Sequence, residues 1–352
     1  MMSVVRLMKE MPQGYEDACM TEKAIQRKRG ISEPEDLMML SLFHLLNGCS
    51  LTEISVIAEL TKLGKVSDVA FMKRFENCNN WFRWIISGLA TGGAVTYQKP
   101  SWLEGYNVHA VDATDVSEKG RSGRIYRLHF ALDLFKMESR QYNITTNATG
   151  ETLCNFEVAP CDLFIADRAY STLRSVEHCL AGDGDFILRL RSNSFKLRDN
   201  AGETVDLLYR LKLLDEGETL DLDTFAASSE NKKIPIRVCA KRKTDDVIAQ
   251  LGKKMHRIET KKQYKVTEYA REFNEYIVVV TSLPEEIAAE QILEAYKLRW
   301  QAEIYFKRLK TIMDFGELPK RRGGSVMAWL NGKLMVALLI EKIIGKADFS
   351  PV

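Results

Sequence analysis

Val108-His109-Ala110-Val111-Asp112 and Leu163-Phe164-Ile165-Ala166-Asp167 are two short apolar runs that each end on a carboxylate. Runs of this length suit buried strands and are too short for buried helices. A carboxylate issuing from such a strand is costly to desolvate unless it is paired or bound to a cation. The plainer role for Asp167 is a helix N-cap, because a helical pattern from Ser171 to Ala181 follows it. Asp115 and Asp133 compete with Asp112, since both lie on or beside strands of the same sheet. Asp112 is preferred because the run before it is apolar on both sides of the alternation. Asp162 competes less well with Asp167, because it begins its strand.

Working outward, strand-like segments recur at Val108 to Ala113, Tyr126 to Phe135, Tyr142 to Thr146, Asp162 to Ala166 and Phe186 to Leu190. Helical patterns interrupt them at Gly150 to Val158 and Ser171 to Ala181. Three leading strands followed by strand and helix in alternation predict a mixed α/β sheet. Upstream, apolar residues at helical spacing from Glu33 to about Leu89 predict an all-α unit, with Ser32 and Glu35 as a capping box and Pro34 in the first turn. Helix starts at Leu51 and Ser67 leave room for a helix-turn-helix, weighed against plain helical packing. Between Arg191 and Val280 lie β signals and basic runs, ending in the apolar stretch Tyr276 to Val280. The expected organisation is an all-α N-terminal domain over 1–100, a catalytic core over 101–190, an inserted β-rich subdomain over 191–282, and the second part of the core over 283–352.

The chain has 352 residues, of which 45% are hydrophobic and 28% charged, a balance that excludes wholesale disorder. A net charge of +2 neither demands nor excludes a nucleic-acid partner, because a phosphate-binding surface can be local. Seven scattered cysteines form no zinc-ligand spacing, and five dispersed histidines give no support to His-based hydrolysis. His109 and His129 read as strand residues near the site. No apolar run approaches the roughly 20 residues needed to span a bilayer, and the N-terminus lacks the core of a signal peptide. A cytoplasmic, nucleoid-associated protein with no membrane partner is expected.

From Pro284 to about Asp314 the pattern predicts one long helix, and a further apolar helix is expected from Val326 to Ile344. On the first, Tyr296, Arg299, Glu303, Lys307 and Lys310 fall on one stripe at about 100° per residue. Leu298, Ile304 and Leu309 lie opposite. A charged stripe is usually a solvated face. Taken with Asp112 and Asp167, Glu303 instead completes three carboxylates able to hold hard cations such as Mg²⁺ in a two-metal site. Arg299 and Lys310 would then lie where a phosphodiester passes, with Tyr296 within reach of a phosphate oxygen. Lys320-Arg321-Arg322, followed by two glycines, reads as a basic loop near the DNA path or as a solvated linker.

Tyr296-x2-Arg299-x3-Glu303-x6-Lys310 resembles the YREK signature of DDE-type insertion-sequence transposases. His109 to Thr114 resembles that family's first catalytic Asp segment, and Ile165 to Tyr170 its second. The 136 residues from Asp167 to Glu303 match a family in which a β-rich insertion precedes the glutamate helix. The resemblance covers roughly Trp102 to Leu339. It implies an α/β fold, an RNase H-like mixed sheet flanked by helices, with Asp112, Asp167 and Glu303 holding Mg²⁺ or Mn²⁺. It also implies cleavage of double-stranded DNA at transposon ends, joining of 3′ ends to a target, and a homodimer assembled on DNA. The rival expectation is an inactive, shortened copy that only binds DNA, because chains of the family often continue beyond the last helix whereas this sequence stops at Val352.

Overall fold

The computed structural model describes all residues except 1, 90–97, 119–123, 137, 193, 228–232, 264, 301–302, 305–306, 308–310, 312–316, 319–323 and 347–352. Five helices come first: α1 (Met2–Met8), α2 (Tyr15–Thr21), α3 (Pro34–Asn47), α4 (Leu51–Leu60) and α5 (Asp68–Leu89). The capping box falls at Ser50 and Glu53, which bond reciprocally at 3.2 and 2.6 Å, rather than at Ser32 and Glu35. Pro34 explains the difference: the residue before a proline is driven to extended geometry, so Glu33 (φ −105, ψ 139) becomes the N-cap and makes no side-chain bond.

The sheet follows with β1 (Asn107–Glu118), β2 (Arg124–Asp133), β3 (Glu138–Thr146), β4 (Asp162–Ala166), α6 (Leu173–Ala181) and β5 (Asp185–Arg189). Next come β6 (Leu197–Arg198), α7 (Leu207–Lys212), β7 (Thr219–Ala227), β8 (Lys233–Arg242), α8 (Asp245–Lys262), α9 (Glu268–Phe273) and β9 (Tyr276–Thr281). The last elements are α10 (Ala289–Leu298), β10 (Glu317–Leu318) and α11 (Gly324–Lys346). Strand order is β3-β2-β1-β4-β5-β9-β8-β7-β6, with β10 beside β1. Strands β1, β4 and β5 are mutually parallel, while β2, β3 and β9 run antiparallel to their neighbours. Three antiparallel strands leading into parallel ones at the sheet centre are the RNase H-like arrangement, flanked here by helices on both faces.

Alternation along the strands divides the core in two. Val108, Ala110, Leu163 and Ile165 share one buried cluster with the N-terminal helices, α10 and α11. Val111, Phe164, Ala166, Phe186 and Leu188 share the other with α6, α7 and α9. The N-terminal helices and this face of the sheet thus belong to one core, with α11 packed against α3 and α5. Gly332 of α11 lets that helix close on α3 and α5, since a Cβ there would stand 2.7 Å from Leu45 Cδ1; Asn331 also donates to Asn79 at 2.8 Å.

Two sequence expectations, on helix extents, are corrected. The predicted helix at Gly150 to Val158 is a single 3-10 turn, Leu153–Asn155, capped by Thr152. Within 191–282, β7, β8 and β9 join the main sheet, and the basic run Lys253 to Lys265 falls mostly in helix α8. The predicted long helix from Pro284 begins only at Ala289, and its first segment, α10, ends at Leu298 with Arg299 as C-cap.

Arg237 accounts for the late start of α10. Almost wholly buried, it forks onto Asp221 and also donates to the carbonyls of Pro284 and Ile287 at 2.6 and 2.8 Å. Those carbonyls are thereby tied to β8, and the segment that delivers α10 is fixed to the sheet. Arg237→Met should lower the unfolding free energy in urea by about 1–3 kcal/mol, because two carbonyls lose their donor. Lys297→Ala, which breaks only an exposed pair with Glu294, should change it by less than about 1 kcal/mol.

Candidate active site

Asp112 and Asp167 are placed by one strand pairing. Val111 lies opposite Ala166 in the parallel β1–β4 ladder, so the next residue of each chain segment, Asp112 and Asp167, arrives at the same level. Strand β1 continues to Glu118, so Asp112 lies within a strand rather than at its end. Its parity with Val108 and Ala110 puts it on the face covered by α10. Asp112 accepts a hydrogen bond from the Ala113 N–H at 2.8 Å, and Asp167 accepts one from the Arg168 N–H. Asp167 closes β4 and Tyr170 N donates back to its carbonyl at 3.0 Å, while Thr172 is the N-cap of α6. Capping therefore does not explain Asp167.

The third carboxylate arrives from α10 and the residues after it. Arg299 Nη2 donates to Glu303 Oε1 at 2.7 Å, and its guanidinium lies 5.7 Å from the centre of the Tyr296 ring. Burial opposes the Arg299 charge, but Tyr296, Glu303 and Asp167 together raise its pKa. Arg299 is thus the counter-charge of the acidic group. Tyr296 is buried, and its hydroxyl has no hydrogen-bond partner among the described residues. Lys307 is exposed and helical, while Ile304, expected to pack, is 38% exposed. Lys310, Lys320, Arg321 and Arg322 lie outside the described residues.

The rival aspartates are engaged elsewhere. Asp115 pairs with Arg127 at 2.9 Å. Asp133 accepts from the backbone of Phe135 and Lys136. Asp162 is buried against His109 at 3.0 Å, and His129 is 3.0 Å from Thr145, so both histidines serve the strands.

Two features had no periodic signal in the sequence. Glu151, on the loop between β3 and β4, stands close enough to Asp112 and Asp167 to repel both. Arg168, Arg189, Arg191 and Lys243 gather at the ends of β4, β5 and β8. Burial, together with the Arg189 and Arg168 charges, lowers the pKa of Lys243 to about 8.

Carboxylate oxygens, as on Asp112, Asp167 and Glu303, are the donors that a hard divalent cation takes. Among the described residues, no three acidic, His or Cys side chains are yet close enough to hold a metal ion. Among the described residues, several buried polar atoms lack partners, and Arg168 Nε, Tyr170 Oη, Tyr296 Oη and Arg299 Nε are those near the carboxylates. Buried groups of this kind are ordinarily satisfied, so these four mark a place for ligand atoms.

Comparison with known proteins gives a match over residues 91–339 to the family described as "Transposase DDE domain". The transposase for insertion sequence element IS421 of Escherichia coli is 29% identical over 350 residues, 97% of this chain and 93% of that protein. The transposase for insertion sequence element IS231E of Bacillus thuringiensis subsp. finitimus is 26% identical over 238 residues, 63% of this chain and 49% of that protein. That for IS231B of subsp. berliner is 29% identical over 211 residues, 55% and 44% of the two chains.

Burial raises the Asp112 pKa to about 6, against the pull of Ala113 N–H and Arg299. Between about pH 4 and that value the folded chain binds more protons than the unfolded chain, so stability falls as pH rises through this window. Once charged, Asp112 costs on the order of 2–3 kcal/mol. In the presence of a chelator, Asp112→Asn should melt above the wild type at about pH 8, and the gap should close near pH 4. A gap independent of pH in thermal melts would contradict this.

Proposed function

The chain belongs to the DDE transposases of insertion sequences, and from that premise we propose that it cuts double-stranded DNA at the ends of its element and joins the 3′ ends to a target. The observation that carries this reading is the pairing of β1 with β4, which brings Asp112 and Asp167 side by side opposite the Arg299–Glu303 pair. Family membership implies a divalent metal, and Asp112, Asp167 and Glu303 are the residues proposed to hold it, as two Mg²⁺ or Mn²⁺ ions. Such ions would supply an activated attacking oxygen and a stabilised leaving oxygen for in-line displacement at phosphorus.

The side chains prepare the site for DNA. Arg299 is held over the Tyr296 ring with its guanidinium aimed at Glu303. An incoming phosphate competes for that guanidinium, because Arg matches phosphate geometry in bidentate fashion. Glu303 is then released toward Asp112 and Asp167. The Tyr296 hydroxyl is a further donor to phosphate, and Lys307 extends the basic track, which is proposed to continue through Lys310 and Lys320-Arg321-Arg322. The cations at Arg168, Arg189, Arg191 and Lys243 support a phosphate path along the same strand ends. The reading extends to a homodimer that assembles on paired DNA ends, at the nucleoid.

With labelled DNA carrying the element's own ends, Glu303→Gln should reduce Mg²⁺-dependent cleavage by roughly 10³-fold or more while binding persists. Pre-cut ends should be joined to target DNA by the wild type; cutting without joining would make the chain a nuclease. Specific binding without any cleavage by the wild type would overturn the catalytic reading in favour of a DNA-binding copy.

Lys307→Ala should weaken binding similarly across sequences and reduce the log–log salt slope by about 1. An unchanged slope would remove Lys307 from the DNA path.

A further inference from the structure

Glu151 sits on a loop whose peptide groups are held from several sides. Arg127 Nη1, on β2, donates to the Thr149 carbonyl at 3.1 Å, and Asn155 Nδ2 donates to the Gly150 carbonyl at 2.9 Å. Asn155 is itself 3.1 Å from His129 Nδ1, and Leu153 N donates to the Ser175 hydroxyl at 3.2 Å. A surface connection ordinarily needs no such fixing. Its effect is to hold one carboxylate within electrostatic range of Asp112 and Asp167.

Arg127 does not account for that carboxylate. The Arg127–Glu151 contact is 3.9 Å, whereas Arg127 Nε donates to Asp115 at 2.9 Å. Glu151 keeps only 30% of its side-chain exposure and makes no hydrogen bond among the described residues. On Asp112, the repulsion from Glu151 exceeds that from Glu303, so of these two carboxylates Glu151 is the more strongly coupled to it.

Tyr170 gives an independent sign. Its ring is wholly buried and its hydroxyl has no partner among the described residues. The charges around that hydroxyl are those of Asp112, Glu151, Arg127 and Asp167. A buried O–H amid three carboxylates is a donor whose acceptor has yet to move in.

We propose that Glu151 is a fourth carboxylate of the cation site, which with Asp112 and Asp167 takes up the first divalent ion before DNA arrives, while Glu303 is still held by Arg299. Tyr170 is the positioning residue, donating to this group as the cation draws it together. The inference rests on the reading of Asp112 and Asp167 as metal ligands. It assigns the two cations to different stages: one bound by the free protein, the other completed when DNA phosphate releases Glu303.

The test is Mn²⁺ binding to the DNA-free full chain, followed by electron paramagnetic resonance, with thermal melts to establish that each variant is folded. Glu151→Gln should weaken Mn²⁺ binding by about tenfold or more, and Tyr170→Phe by a smaller factor. Glu303→Gln should weaken it less than Glu151→Gln does, because Arg299 holds Glu303; an equal or larger loss would overturn the assignment of the first cation to Glu151. If Glu151→Gln does not fold, Glu151→Asp serves, since it keeps the charge and draws the oxygens back; it too should weaken binding. Normal binding by a folded Glu151 variant, together with loss in Asp112→Asn, overturns the role of Glu151 and leaves the metal reading intact. Normal binding by Asp112→Asn as well overturns both.

Discussion

The parallel pairing of β1 with β4 is the constraint on which the rest depends. Its register sets two aspartates at one level, on a sheet whose neighbouring residues are fully buried. Hydrophobic burial on both faces fixes that register, because a slip of one residue would turn every apolar side chain of the strand to the wrong face. The acids are thus held together by the core beneath them. Their mutual repulsion is offset by Arg299, delivered by α10, whose approach is tied to the sheet through Arg237.

This arrangement gives the free protein a resting state. Glu303 and Arg299 pair at 2.7 Å, although both would be needed elsewhere during the proposed reaction. Phosphate and cation are the species that can separate them, since one competes for the guanidinium and the other for the carboxylate. Coupling the release of Glu303 to DNA would restrain hydrolytic chemistry until the correct strand is in place. The hydroxyls of Tyr170 and Tyr296, without partners among the described residues, would on the proposed reading be donors set in advance of the atoms they serve.

Much of this was legible in the sequence because Val108 to Val111 and Leu163 to Ala166 are short apolar runs each followed by an acid, a pattern local enough to read directly, although β1 runs on to Glu118. What failed depended on tertiary partners. Pro284-Glu285-Glu286 has the composition of a helix start, yet Arg237, distant in sequence, takes the Pro284 and Ile287 carbonyls, and the helix waits until Ala289. Ser32 and Glu35 have capping-box spacing, but Pro34 forces Glu33 into the cap position. Glu151 had no signal at all, because it sits on an aperiodic loop whose course is set by Arg127, Asn155 and Ser175. Side chains placed by such long-range hydrogen bonds are invisible to periodicity.

The central claim is that Asp112, Asp167 and Glu303 converge on divalent cations when DNA is bound. Anomalous scattering from Mn²⁺ in crystals of the chain with its element's ends tests it most directly. The account predicts a metal peak within about 2.0–2.3 Å of oxygens from both Asp112 and Asp167, with Glu303 turned away from Arg299 toward the cations. A fully loaded complex with manganese bound elsewhere, and with Glu303 still paired to Arg299, would contradict it.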